Sequence, residues 1–246
     1  MNNSTLNRII PAGIIGLAIL ICAGLGLLAV FHITSSMNKD TVAVKGYAEK
    51  IVESDTGWLS CTISCRGSSL QAVHRQIQQH QNKVIVFIKS YNIEDTEIDS
   101  APLSITTMYT TDSNGNRTNT VEGYSGSLSV SISTPKLDTI TLLSKELAKL
   151  LESGINIRTS QPQFFISDIE QYKLELLKNA SESAQIRAEE IAAASNAKRG
   201  RLRSSGQGVF QITAPQSVDI SGYGEYDTYS RTKKISIVVT NEYRIE

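Results

Sequence analysis

Residues 58–91 read WLSCTISCRGSSLQAVHRQIQQHQNKVIVFIKSY, and the change of period inside this stretch decides the fold class. From Trp58 to Arg66 apolar and polar residues alternate. Leu59, Cys61, Ile63 and Cys65 fall on one face, with Ser60, Thr62 and Ser64 on the other, the mark of a half-buried strand. From Ser68 to Tyr91 the apolar positions Val73, Ile77, His80, Val84, Phe87 and Tyr91 recur at alternating four and three. That spacing predicts an amphipathic helix, with Ser68 or Ser69 as its cap.

Working outward, Val42 to Val52 alternates loosely around Lys45-Gly46 and predicts a strand before this one, the two joined near Asp55-Thr56-Gly57. Downstream, Leu103, Ile105, Thr107 and Tyr109 lead into Asp112-Ser113-Asn114-Gly115, and Leu128, Val130 and Ile132 alternate on the way back. Asn-Gly is a strong hairpin-turn signal. Pro135 opens a second helix through Ile140, Leu143, Leu147 and Leu151, which stops at Gly154. A short extended piece holds Pro162, Phe164 and Phe165. A third helix, about Asp168 to Ala197, is built on Tyr172, Leu176, Ala180, Ala184, Ala188 and Ile191, small enough for tight packing on a sheet. Two strands close the chain, Arg201 to Thr213 and Arg231 to Ile245, with Ile235, Ile237, Val239 and Tyr243 sharing a face. The expected order is ββα, ββα, an irregular link, then αββ: an α+β domain of antiparallel strands with helices packed on one face.

The N-terminal segment bears on location. Ile9 to Phe31 contains no charged residue, and a helix of that length covers a hydrocarbon core of roughly 30 Å, where a secretory signal has an apolar run of about 7–15 residues. Ala29-Val30-Phe31 lacks the small residue that cleavage of a signal peptide requires, and Ile21 before Cys22 does not fit a lipoprotein signal. The expectation is a retained single-pass anchor: a cytoplasmic tail over 1–8, a transmembrane helix over 9–31, a tether over 32–40 and an external domain over 41–246. The flanking charges are few, Arg8 on one side and Lys39 with Asp40 on the other. Ala18, Cys22 and Gly26 recur at four-residue spacing, which suits either close helix–helix packing in the membrane or ordinary small residues of a lone anchor.

Composition excludes more than it specifies. Lys plus Arg and Asp plus Glu both number 24, and a balanced surface argues against a nucleic-acid partner, which favours a basic excess. Of three cysteines, Cys22 lies in the apolar run. Cys61 and Cys65, four apart on a strand, stand about 13 Å apart, too far for a disulfide; buried, reduced thiols are expected. His32 borders the anchor, His74 lies on a polar helix flank, and His80 reads as a half-buried structural histidine. No Cys/His spacing suits zinc, and no cofactor is implied. Gly123-Tyr124-Ser125-Gly126-Ser127 lacks the last glycine of a nucleophile elbow and sits in a strand. Asp112 to Gly123 fails the glycine and glutamate positions of a calcium loop and reads as a turn. Gly206-Gln207-Gly208 reads as a strand bulge.

Two surfaces remain as candidates. Gln216 to Thr228, with Tyr229 just beyond, carries Tyr223, Tyr226 and Tyr229, and is either a flexible link between hairpin strands or a contact surface for another subunit. Lys198, Arg199, Arg201 and Arg203 form a basic run, either a solvated face or a contact for anionic polymers and headgroups.

Several stretches taken in order resemble one family: Val44-Lys45-Gly46-Tyr47-Ala48-Glu49, Gly123-Tyr124-Ser125, Gln161-Pro162-Gln163-Phe164, the Ala-rich Asn179 to Ala194 with Arg187-Ala188, Ser204-Ser205-Gly206-Gln207-Gly208-Val209-Phe210, and Lys233-Lys234-Ile235-Ser236-Ile237-Val238-Val239-Thr240. From about Val42 to the C-terminus the chain resembles the SIMPL-domain proteins, more narrowly the membrane-anchored branch of Gram-negative envelopes. The resemblance implies a periplasmic α+β domain on the inner membrane that self-assembles into a homo-oligomer, and it carries over no reaction and no catalytic residue. The chain departs from the pattern at Arg199-Gly200-Arg201-Leu202, where Leu-Gly is usual, and in the length of the tyrosine-bearing loop. The expected function is a non-enzymatic envelope protein; the alternatives are a module binding envelope polymers or headgroups through Lys198 to Arg203, or an enzyme whose site is assembled from scattered residues.

Overall fold

The computed structural model describes residues 24–28, 40–219 and 221–246. The chain divides into two compact units, one of Met1–Tyr47, Asn179–Gly208 and Val238–Glu246, the other of Ala48–Lys178 and Val209–Ile237.

The larger unit is organised by the alternation that begins at Trp58. Strand β1 (Thr41–Glu53) enters it, and β2 (Thr56–Gly67) pairs with β5 (Arg117–Thr134) in an unbroken antiparallel register from Gly57 opposite Thr134 to Gly67 opposite Tyr124. Two short strands, β3 (Ile98–Ser100) and β4 (Ser104–Thr111), lie in succession along the far side of β5. Two more, β6 (Asn156–Thr159) and β7 (Gln163–Phe165), lie along the far side of β2. One face of this sheet carries Leu59, Cys61, Ile63, Leu128, Val130 and Ile132, all buried, and against it pack α1 (Leu70–Lys89) and α2 (Leu137–Glu146) through Val73, Ile77, Ile88, Ile140 and Leu143. Each such side chain contributes about 1.5–3 kcal/mol by leaving water. Ser69 caps α1 by accepting the Ala72 N–H at 3.2 Å. Gly126 is required where α1 crosses β5, because a Cβ there would run into the Val73 side chain. Helix α2 tightens into a 3-10 turn over Leu147–Leu151, and Gly154, at φ +75°, reverses the chain into β6.

Cys61 and Cys65 are free and buried. Burial pushes the Cys61 thiol up to about 11. At the β4–β5 turn Asp112 Oδ1 accepts the N–H groups of Asn114 at 2.9 Å and Asn116 at 2.8 Å, so the aspartate closes a turn.

In the smaller unit, β8 (Arg199–Gln207) pairs antiparallel with the last half of β11 (Thr232–Ile245). On the other side of β11 the start of β1 approaches, Ile245 N–H donating to Asp40 O at 3.0 Å. The later turns of α3 (Ile169–Ala194) present Ala180, Ala184, Ala188 and Ala192, all fully buried. Gly46 lies directly beneath them. A Cβ on Gly46 would sit 2.6 Å from Ala184 N and 2.8 Å from Ala184 Cβ, and closer still to the Ala180 carbonyl oxygen. Arg187 Nη1 donates to Lys45 O at 2.9 Å across the same contact. The Lys45-Gly46 interruption of β1 is therefore the seat of the alanine stripe.

The observed order among the described residues is ββα, βββα, ββα, ββββ, a mixed α+β fold in which β2 pairs antiparallel with β5, β6 and β7, β5 with β3 and β4, and β11 with β8 and β9 (Gln211–Thr213). It adds short strands that the sequence pattern conceals. The first closing strand divides in two, β8 and β9; just past β8, Gly208 N–H donates to Val238 O at 2.9 Å, and a Cβ on Gly208 would stand 2.8 Å from the same oxygen. The proposed anchor over Ile9 to Phe31 lies outside the described residues except for the helical 24–28, and among the described residues no helix is long and apolar enough to cross a membrane. Ala18 and Cys22 likewise fall outside; Gly26 lies in the helical stretch with open space where a Cβ would be.

Candidate functional site

The described residues of the tyrosine-bearing loop are tied to the strand before it and the strand after it by hydrogen bonds. Within it, β10 (Glu225–Tyr226) pairs in parallel with β9, and the Asp227 N–H continues the pairing to Ile212 O at 2.8 Å. Gln211 clasps Ser221 from both sides, its amide nitrogen donating to Ser221 O at 2.7 Å and its oxygen accepting Ser221 N–H at 3.2 Å. Gly224 takes φ +89° and leaves no room for a Cβ against Phe210 O at 3.0 Å. Further along, Phe164 N–H donates to Thr228 O at 2.7 Å. Three tyrosines stand out from this frame: Tyr223 is 101% exposed, Tyr226 45% and Tyr229 54%. Of their rings, Tyr226 leans on Phe165 at a centroid distance of 6.5 Å.

Underneath sits Lys233, with none of its surface exposed. Its Nζ donates to the carbonyls of Asp227 and Ser230, each at 2.6 Å. Burial pulls the Lys233 ammonium below its ordinary range, and the Asp227 charge opposes that pull. Burial also disfavours ionised Asp227, but hydrogen bonds from the Ser230 side chain and from the Tyr229 and Ser230 N–H groups outweigh it and hold the carboxyl below 3.8. A buried cation is costly unless hydrogen-bonded; here two loop carbonyls supply the hydrogen bonds, and the Asp227 charge favours the protonated form. Lys233 shares parity with Ile235, Ile237 and Val239, so its inward direction was readable from alternation. What alternation hides is the pair of loop carbonyls waiting there.

The basic run is arranged differently. Arg199 Nε donates to Glu189 Oε1 at 3.0 Å, and its guanidinium lies 5.2 Å from the Tyr243 ring centroid. Arg203 stands 3.7 Å from Glu242. Lys198 uses its backbone to pair with Glu246, and Arg201 is exposed. Two of the four charges are thus locally compensated, and the run does not converge on one point. A Cβ on Gly200 would stand 2.7 Å from the Glu246 carboxylate and 3.2 Å from Arg244 Cβ.

His80 is half-buried, with its Nδ1 enclosed and without a hydrogen-bond partner. Burial, then the nearby Lys83 charge, lowers its pKa below 6.5. Among the described residues no group of three or more His, Cys, Asp or Glu side chains is gathered closely enough to hold a metal ion.

The pairing of Gly46 with the alanine stripe and the closing β8–β11 ladder account physically for the stretches that define one family, and the chain belongs to it: the SIMPL family, described as protein of unknown function (DUF541), matches residues 42–242. A search of curated proteins returned no match.

Proposed function

We propose that the chain is a non-enzymatic cell-envelope protein, held in the bacterial inner membrane by the apolar run Ile9 to Phe31, whose SIMPL domain self-assembles on the periplasmic side. The observation that carries this reading is the exposure of Tyr223, Tyr226 and Tyr229 on a loop tied back by backbone and side-chain hydrogen bonds. Tyrosine offers a large contact area with few rotamers to lose, and a loop already fixed by Gln211, Gly224 and Lys233 adds little further ordering cost on association. Membrane anchoring would reinforce weak domain contacts by raising effective concentration.

The test is sedimentation of the full chain extracted in detergent, wild type beside a variant with all three tyrosines changed to serine. The variant is expected to shift toward monomer, with its dissociation constant raised about tenfold or more, while circular dichroism stays unchanged. A wild-type chain that is monomeric at high concentration would falsify the assembly reading. An unchanged oligomer in the variant would remove the loop from the interface.

A further inference from the structure

At one edge of the larger unit's sheet, beside α1 and beyond the last paired residue of β6, the lining turns basic. There β6 stops at Asn156 opposite Ser64, and β2 runs on through Cys65 and Arg66 with no strand beside it on that side among the described residues. A cleft of about 460 Å³ opens at this corner. Ser64 and Asn156, paired in register, form part of its lining between Arg66 on β2 and Arg158 on β6. Gln76 and His80 enter from α1, and Ser125 stands opposite Arg66 on β5.

Three features converge. First, neither Arg66 nor Arg158 takes part in a salt bridge among the described residues, and no Asp or Glu lines the cleft. Two uncompensated guanidinia over one cleft create a field that favours an anion, and each can grip an oxyanion with two N–H donors. Second, the remaining lining is made of the hydroxyls of Ser64 and Ser125, the amides of Gln76 and Asn156, the His80 imidazole, the Cys65 thiol and Gly154; no aromatic or branched apolar side chain is present to receive an apolar or stacked ligand. Third, the His80 Nδ1 is buried without a partner, and such an atom costs free energy until something hydrogen-bonds to it. The volume lies within the range of small-molecule sites and exceeds the needs of a bare inorganic anion.

We infer that this corner is a binding site for a small acidic carbohydrate, an oxyanion held by Arg66 and Arg158 with a hydroxylated body hydrogen-bonded to Ser64, Asn156, Gln76 and His80. The site lies apart from the tyrosine loop in the chain and stands or falls independently of self-assembly. Carboxylate and phosphate are the two sources of the charge, and separate probes distinguish them.

The full chain in detergent is titrated calorimetrically with glucuronate and with glucose 6-phosphate, and with glucose and sulfate as controls. At least one acidic sugar is expected to bind saturably, more tightly than either control. Arg66→Gln and Arg158→Gln are each expected to weaken that binding about tenfold, as loss of a charge-assisted pair does. Both arginines are exposed, so neither change threatens the fold, and Lys145→Gln, at an exposed site elsewhere, reports any general effect of lost charge. Absence of saturable binding by both acidic sugars overturns the inference. So does binding that survives both arginine substitutions, or sulfate or glucose binding as tightly as the acidic sugars.

Discussion

The tyrosine loop and the region around the basic run lie almost side by side in the chain, yet they are held by opposite devices. Beneath the alanine stripe of α3, order comes from the absence of a side chain: Gly46 lets two backbones meet, and Ala180 and Ala184 close over it. In the loop, order comes from one long side chain, the buried Lys233, whose ammonium gathers two carbonyls. The surfaces differ in the same sense. The tyrosines are displayed and largely unengaged, whereas Arg199 and Arg203 are turned onto Glu189, Tyr243 and Glu242. Exposure in a sequence pattern is therefore a poor guide to availability; what fixes the backbone and what already occupies the side chain decide it.

Gly46→Ala is the sharpest way to break the first region. The new methyl group would collide with backbone atoms of a helix, which cannot step aside as a flexible side chain can, so the loss is expected to exceed about 4 kcal/mol or to abolish folding. Chemical denaturation of the full chain in detergent measures it. A loss below about 1 kcal/mol would mean that α3 and β1 slide apart freely, and the contrast with the loop would dissolve.

This residue also shows what could be read in advance. The α+β class, the three helices and the long strands follow from period alone, because each element buries one face and repeats it over many residues. Gly46 was visible as an interruption of β1, and Ala180, Ala184 and Ala188 as a helical stripe, but nothing local joins positions so far apart in the chain. Short strands such as β7 and β10 have too few residues to show a period, and their backbones are ordered by neighbours. The cleft at Arg66 and Arg158 was illegible for the same reason: its members come from β2, α1, β5 and β6, and only the register brings them together. The three tyrosines were legible as composition, whereas the Lys233 anchor needed its partners to be seen.

Lys233→Met should break the loop next. Methionine fills similar space but leaves the Asp227 and Ser230 carbonyls without a donor and the Asp227 carboxylate without a nearby cation, an expected loss of about 3 kcal/mol. Self-association should weaken together with stability, since the tyrosines lose their fixed spacing. Methionine-variant protein that sediments as wild type does would separate the tyrosine display from its anchor.

A gentler probe is acid. Because the Asp227 carboxyl is held below 3.8 in the folded chain, its contribution is fully present above that value and is lost as pH falls through the lower folded value. Other carboxyls, among them Asp55 and Glu97, are also held low, so the comparison is between wild type and Asp227→Asn. The variant should lack the wild-type loss of loop order below about pH 3.8, monitored by tyrosine ring signals in NMR spectra. Parallel acid profiles would show that hydrogen bonds to Asp227 do not depend on its charge.

The smallest effect is expected at the basic run, and it tests the other half of the contrast. Arg203 faces Glu242 at 3.7 Å with much of both side chains in solvent, and Arg201 is exposed. Pairs of this kind gain little over hydration and are screened by salt. Replacing both arginines by glutamine should therefore shift Tm by less than about 2 °C and leave the sedimentation of the full chain unchanged. The same variant measures whether the run contacts anionic surfaces: with Arg199 already committed to Glu189 and Tyr243, binding to vesicles containing phosphatidylglycerol should differ little from wild type at physiological salt. A large, salt-dependent loss of vesicle binding would show instead that the exposed arginines act together despite their local partners, and the basic run would then rank with the tyrosine loop as a working surface.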